Sequence, residues 1–244
     1  QAPYGYALDK TPVAFSVSLE NAEKENSLTI VKVEKQNTAQ KGRISVQKTG
    51  DIFTSVNMAS SAYTDENGEL VVNSTTYTPV FADGDLSGAV FQVIAVEDIV
   101  TLDGTTRAYA GDVVSEITTD ENGYAETEPL YLGKYEVREI KAPDGYVLNN
   151  EPKDVEVTYA GQEFEVRDTV NTAFENEYQG VRISLSKVME NDELFGIYGK
   201  DYYTSVRFGL FAAEDITAAD GSVIPADGLL SEVSLDENMT AKFD

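Results

Sequence analysis

Apolar and polar side chains alternate with a period of two in several short segments of this chain. The clearest segments are residues 44–48, 135–139 and 154–159. Such alternation is typical of β-strands that have one face in the core and the other in solvent. Turn-forming dipeptides separate the segments: Asn67-Gly68, Asp103-Gly104, Asn122-Gly123, Asp144-Gly145 and Asp220-Gly221. Many short strands joined by regular turns predict an all-β protein built as sandwiches or barrels.

Internal repeats run through the same pattern. Residues 91–99 (FQVIAVEDI) return as residues 208–216 (FGLFAAEDI), and the segment that begins at Arg43 returns at Arg182. Ala2–Leu8 also matches the segment that begins at Ala142. Motifs that recur in a fixed order indicate copies of one structural unit.

The repeats predict three module copies, of which one is complete. The complete module spans 41–179 and carries an insertion somewhere within 49–90. Residues 1–40 are expected to form the C-terminal part of a preceding module, and residues 180–244 the N-terminal part of a following one. We expect the chain to be an excerpt of a longer protein whose ends fall inside modules.

Composition excludes several function classes. The chain has 244 residues and a formal charge of −25, which disfavours binding to nucleic acid or to anionic membrane surfaces. It contains no Cys and no His, so disulfides, thiol nucleophiles, Ser-His-Asp triads and zinc fingers are absent. The acidic clusters at 65–67, 120–122 and 236–238 lack the ligand spacing of an EF-hand and read as hairpin turns. We therefore expect no metal, no cofactor and no enzyme acting on other molecules.

Three polar residues stand at strand positions whose neighbours two residues away are apolar. Lys48 follows Ile44 and Val46, Glu139 follows Tyr135 and Val137, and Asn176 lies between Phe174 and Tyr178; residues two apart share a face of a strand. If the apolar members point inward, Lys48, Glu139 and Asn176 are buried as well. Burial disfavours the charged form of an amine or a carboxyl group. A neutral Lys48 could then attack the Asn176 carboxamide while a protonated Glu139 polarises its carbonyl and carries a proton, leaving an amide and releasing ammonia.

The segments around these residues resemble a known family. The stretches are Ile44–Gly50 (ISVQKTG), Tyr135–Tyr146 (YEVREIKAPDGY) and Phe174–Tyr178 (FENEY). They resemble the CnaB-type domain of Gram-positive pilins and adhesins, also called SpaA-type or prealbumin-like; the middle stretch is similar to its E-box. The resemblance implies tandem β-sandwiches with Lys48 as nucleophile, Asn176 as acceptor and Glu139 as catalytic acid.

Alternatives remain at each cross-link position. Lys48 could extend its amine to solvent at a strand end, and Asn171 is a rival acceptor to Asn176. By their position in the repeat, Lys187 and Asn37 are candidates for a further cross-link. They would meet if residues 180–244 of one chain and 1–40 of a neighbouring chain completed one module by strand addition.

Together these features predict a structural stalk segment of a Gram-positive adhesin or pilus-like protein, extracellular and attached to the cell wall. Its expected partners are the neighbouring modules of the same chain, with a host protein or glycan bound through another domain. The alternative is a ligand- or glycan-binding module that uses the 49–90 insertion, because loops on rigid sandwiches often carry binding function.

Overall fold

The structure is a computed structural model that describes residues 1–17, 23–25, 28–188 and 206–243. Secondary structure in these ranges is entirely β, as the alternation predicts, and no helix there is long and apolar enough to cross a membrane. The strands are β1 Glu23–Glu25, β2 Leu28–Ile30, β3 Lys41–Gly42, β4 Ile44–Thr64, β5 Leu70–Asp85, β6 Val90–Ala95, β7 Ile99–Val100, β8 Thr106–Ala108, β9 Val113–Thr118, β10 Tyr124–Glu126, β11 Leu130–Tyr131, β12 Gly133–Lys141, β13 Lys153–Val157, β14 Val170–Asn176, β15 Ile183–Ser186, β16 Arg207–Phe211, β17 Ile216–Thr217, β18 Val223–Ile224, β19 Leu229–Ser234 and β20 Thr240–Phe243.

Contacts divide the chain into two compact units. The first unit comprises Gln1–Thr49 and Asp85–Asn176, and the second comprises Gly50–Gly84 and Glu177–Asp244. The long strands β4 and β5 each contribute residues to both units. This grouping follows spatial contacts, whereas the repeats follow sequence similarity, so the module boundaries 1–40, 41–179 and 180–244 stay a prediction.

Two larger sheets enclose the core of the first unit. In one sheet the beginning of β4 pairs with β10, where Val46 faces Ala125, and with β14. The other sheet has the antiparallel order β13-β12-β6-β9. The rings of Phe91 in β6 and Phe174 in β14 meet across the core at 4.8 Å between centroids. The buried core residues are Ile44, Val46, Ala89, Phe91, Val93, Ala95, Ile99, Ile117, Ala125, Tyr135, Val137, Val155, Val157 and Phe174.

The second unit contains most of the insertion that the repeats indicate. There β5 pairs with the second part of β4, and the turn between them closes with a hydrogen bond of 3.1 Å from the Gly68 N–H to the Asp65 carbonyl. The other antiparallel pairs are β16 with β19, β15 with β20 and β17 with β18. Its described part buries five apolar residues, three of which are alanines: Ala212, Ala218, Ile224, Ala241 and Phe243.

Candidate cross-link site in the first unit

Three strands of the first unit place Lys48, Glu139 and Asn176 in its interior. Lys48 lies in β4, Glu139 in β12 and Asn176 at the end of β14. Their exposed fractions are 0%, 2% and 3%, so each is buried as the alternation predicts. Long polar side chains are rarely buried this deeply unless they are paired, because desolvation is costly. The burial of these three polar side chains therefore needs a chemical explanation.

Hydrogen bonds connect the acid to the amide. Oε1 of Glu139 accepts a hydrogen bond of 2.8 Å from Nδ2 of Asn176. Oε2 of Glu139 accepts another of 2.8 Å from the backbone N–H of Asn149. Both carboxyl oxygens thus accept a hydrogen bond from an N–H donor.

This arrangement differs from the expected one, in which a protonated Glu139 donates to the Asn176 carbonyl. Oδ1 of Asn176 is buried and has no hydrogen-bond partner among the described residues. The carboxylate contacts the nitrogen of the amide instead of its oxygen. Glu139 therefore lies beside the nitrogen that would leave as ammonia.

The amine of Lys48 lies against the strand that carries the amide. Its Nζ donates to the carbonyl of Phe174 at 3.2 Å and to that of Thr49 at 3.0 Å. Phe174 is two residues before Asn176 and points to the same side of β14, where both are buried. Lys48 does not extend to solvent, which removes that alternative.

Burial lowers the pKa of Lys48 from 10.5 to about 8, chiefly by desolvation of the ammonium. The charges of Glu139 and Glu175 oppose this shift in the pKa, and the charge of Lys153 adds to it. At pH 7 about a tenth of an amine with this pKa is neutral, far more than for an ordinary lysine. A neutral amine is the form that can act as a nucleophile.

The other candidate residues lie in different surroundings. Asn171 is exposed on the opposite face of β14, and its Oδ1 accepts a hydrogen bond of 2.6 Å from Ser45. Asn37 belongs to the first unit, where its side chain accepts a bond of 3.5 Å from the Asp9 N–H. Lys187 belongs to the second unit, is half-buried, and donates its backbone N–H to Met239 at 2.9 Å. The cross-link between Lys187 and Asn37 stays a prediction.

Sequence reasoning missed Asn149, which contacts Glu139 from the segment between β12 and β13. The signal that it left is weak: an Asn shortly before Pro152 is typical of a turn. Nothing in strand alternation could assign it to the site, because the contact is made by a backbone N–H.

Comparisons with known proteins agree with this architecture. Residues 80–172 match the family model described as SpaA, prealbumin-like fold domain. The chain is 27% identical over 147 residues to the trypsin-resistant surface T6 protein of Streptococcus pyogenes serotype M6, covering 60% of this chain and 23% of the T6 protein. The chain thus spans about a quarter of the length of that curated relative.

Solved structures show a weaker likeness. The TIE protein of Bacillus anthracis is 22% identical at a TM-score of 0.37, covering 77% of this chain and 33% of that one. The minor pilin GBS52 of Streptococcus agalactiae is 17% identical at a TM-score of 0.34, covering 64% of this chain and 50% of that one. At these scores no function transfers.

In its described residues the chain is thus all-β, and residues 80–172 match the SpaA, prealbumin-like model, as the motifs predicted. The matched stretch includes Glu139 but neither Lys48 nor Asn176. The roles of these three residues therefore stand on the geometry of the site.

Proposed function

We propose that this chain is a structural stalk segment of a Gram-positive adhesin or pilus-like protein, stapled by an isopeptide bond between Lys48 and Asn176. The observation that carries the proposal is the complete burial of a lysine beside a Glu–Asn pair. Burying a lone amine costs several kcal/mol, and conversion to an amide removes the charge altogether. The SpaA match and the similarity to a streptococcal surface protein support the structural role.

The reaction needs no external catalyst. The neutral Lys48 amine attacks Cγ of Asn176, and a tetrahedral adduct forms with the negative charge on Oδ1. Glu139 takes a proton from the attacking nitrogen and gives a proton to Nδ2, from which it now accepts a hydrogen bond. The C–N bond to Nδ2 breaks, ammonia leaves, and the Lys48–Asn176 amide remains. Fixed geometry in a dry core replaces a separate enzyme.

The bond would suit a protein that bears load. It closes a loop of about 130 residues, which the chain-entropy model converts to about 5 kcal/mol of stabilisation. The sequence has no Cys, so a disulfide cannot supply the same restraint. We place the chain on the outer surface of the cell, attached to the wall, with other modules of the same protein as its neighbours and host ligands bound by another domain.

Single-molecule stretching between the two ends of the chain tests this role. With the bond in place, the chain from residue 48 to residue 176 cannot extend. The variant Lys48→Met should therefore gain about 450 Å of extension, at about 3.5 Å per residue. Lys134→Ala, at an exposed lysine (57% of its side chain), is the matched control and should stretch like the parent. Equal extension of the parent and Lys48→Met would refute the staple.

A ligand-binding role for the 49–90 insertion is the second candidate. Its β4 and β5 strands leave large apolar side chains in solvent, with Met58 69%, Tyr63 54% and Leu70 74% exposed. Large exposed apolar side chains can contribute to a binding surface. A glycan array would separate the two functions: a stalk binds no glycan, whereas a lectin-like insertion binds a defined set and loses it in Tyr63→Ser.

A further inference from the structure

We propose that Asn149 is a positioning residue for the cross-linking reaction, holding the Glu139 carboxylate in the orientation that serves the Asn176 amide. The proposal deepens the proposed isopeptide function and rests on it. Asn149 lies outside the strands, between β12 and β13, and is half-buried. It contacts the site through its own backbone and holds itself there with its side chain.

Asn149 holds the Glu139 carboxylate through a backbone hydrogen bond. The Asn149 N–H donates to Oε2 at 2.8 Å, while Oε1 receives Nδ2 of Asn176 at 2.8 Å. A carboxylate held at only one oxygen can still rotate about its terminal bond, which has a broad torsional preference. With both oxygens held, Oε1 stays directed at the leaving nitrogen. Proton transfer then runs through Oε1.

The side chain of Asn149 fixes the backbone of the same residue through two hydrogen bonds. Its Oδ1 accepts the Glu151 N–H at 2.9 Å, which forms an Asx turn. Its Nδ2 donates to the Glu175 carbonyl at 3.1 Å. Glu175 is the residue before Asn176 in β14. One side chain therefore ties the loop to the strand that carries the acceptor amide, and its backbone reaches the acid on β12.

Loss of the two Asn149 side-chain hydrogen bonds should slow the cross-linking reaction. In Asn149→Ala the backbone N–H remains, but both side-chain bonds that hold it are lost. The loop segment can then move away from Glu139, and misplacement by about 1 Å can slow a positioned reaction by about 100-fold. The stability of the core should change little, because Asn149 buries no apolar side chain. Its exposed neighbour Asn150 provides the matched control, Asn150→Ala.

The test follows ammonia loss in the full chain. The chain is made by cell-free translation, samples are stopped in acid at timed intervals, and intact mass gives the uncross-linked fraction. Asn149→Ala should lose ammonia 10-fold to 100-fold more slowly than the parent, and Asn150→Ala at the parent rate. The midpoint of the rate against pH should stay near the pKa of Lys48, about 8, in all three chains.

A merely structural role predicts something else. If Asn149→Ala loosened the core, water would reach the amine and the pH midpoint would rise toward 10.5, the ordinary pKa of Lys48. Thermal unfolding in a Lys48→Met background, which cannot cross-link, shows directly whether Asn149→Ala still folds. Slow reaction with an unfolded module or a raised midpoint overturns the positioning role, as do equal rates for Asn149→Ala and Asn150→Ala. If the parent itself never loses ammonia, the cross-link is refuted and the positioning role falls with it.

Discussion

Lys48 shows how a residue that is unfavourable in a core becomes useful there. Its side chain is fully buried, and among the described residues its amine donates hydrogen bonds to two backbone carbonyls. Desolvation lowers its pKa to about 8 and makes the amine nucleophilic near neutral pH. Sequence alone predicted the burial, because Lys48 continues the inward face of Ile44 and Val46. The hydrogen-bond pattern around Glu139 could not be predicted, since it depends on which atom of the Asn176 amide meets the carboxyl group.

The rate of cross-linking should follow the deprotonation of Lys48. Below pH 8 the rate should rise about tenfold per pH unit, because only the neutral amine attacks. Above that pH it should level off. The charges that act on this amine are Glu139 and Glu175, which raise its pKa, and Lys153, which lowers it. Timed mass measurements from pH 6 to pH 10 check this; a rate that keeps rising to pH 10 would contradict the lowered pKa.

The strand β14 decides which amide can react. Its burial alternates, so that Phe174 and Asn176 face the core while Asn171 faces solvent. Alternation with a period of two could therefore choose between the two asparagines once the position of the core was known. Sequence also predicted an insertion within 49–90. It did not predict that β4 would run unbroken from Ile44 to Thr64, because length depends on pairing with β5 as much as on local pattern.

Replacement of the two asparagines should have opposite outcomes. Asn176→Ala removes the electrophilic carbon, so the chain should keep the full mass of its sequence. Asn171→Ala loses only a part-buried hydrogen bond from Ser45, on the side of β14 away from Asn176, and should cross-link like the parent. Intact mass of the two purified variants checks this. A chain that cross-links without Asn176 would make Asn171 or another residue the acceptor.

The turn between β9 and β10 forms a backbone hydrogen bond with Lys48. Gly123 has φ +66°, and its carbonyl accepts the Lys48 N–H at 2.7 Å. A Cβ at this position would lie 2.3 Å from the Lys48 carbonyl oxygen, too close to be accommodated without backbone movement. Gly104 has φ +82° in a similar turn, but a Cβ there would meet nothing within 4 Å.

Replacing Gly104 and Gly123 by alanine, one at a time, should therefore distinguish the free-energy cost of backbone strain from that of a steric clash. Gly104→Ala should destabilise the first unit by about 1–2 kcal/mol, the cost of a left-handed backbone with a side chain. Gly123→Ala should cost more, because the clash with the Lys48 carbonyl adds to the same strain. Denaturant unfolding in the Lys48→Met background gives both values. Equal losses would show that the β9–β10 turn moves without disturbing β4.

The molecule as a whole combines a well-filled unit with a sparser one. The core of the first unit draws mainly on its two larger sheets, and the second unit buries few apolar side chains in its described residues. Repeats in the sequence predicted the kind of module and the all-β class. They could not predict that residues 1–49 group with 85–176, since sequence similarity reports ancestry between copies and contacts report packing. The proposed staple lies in the first unit, which contains Lys48, Glu139 and Asn176.

Intact mass spectrometry of the purified full chain tests the central claim most directly. The Lys48–Asn176 bond predicts a mass lower by one ammonia than the sequence requires. Glu139→Gln should restore the full mass, because the proton carrier is lost. Glu136→Gln, on the other face of the same strand, should keep the deficit. Digestion should yield one branched peptide that joins Lys48 to Asn176. A parent chain with the full mass of its sequence would contradict the account.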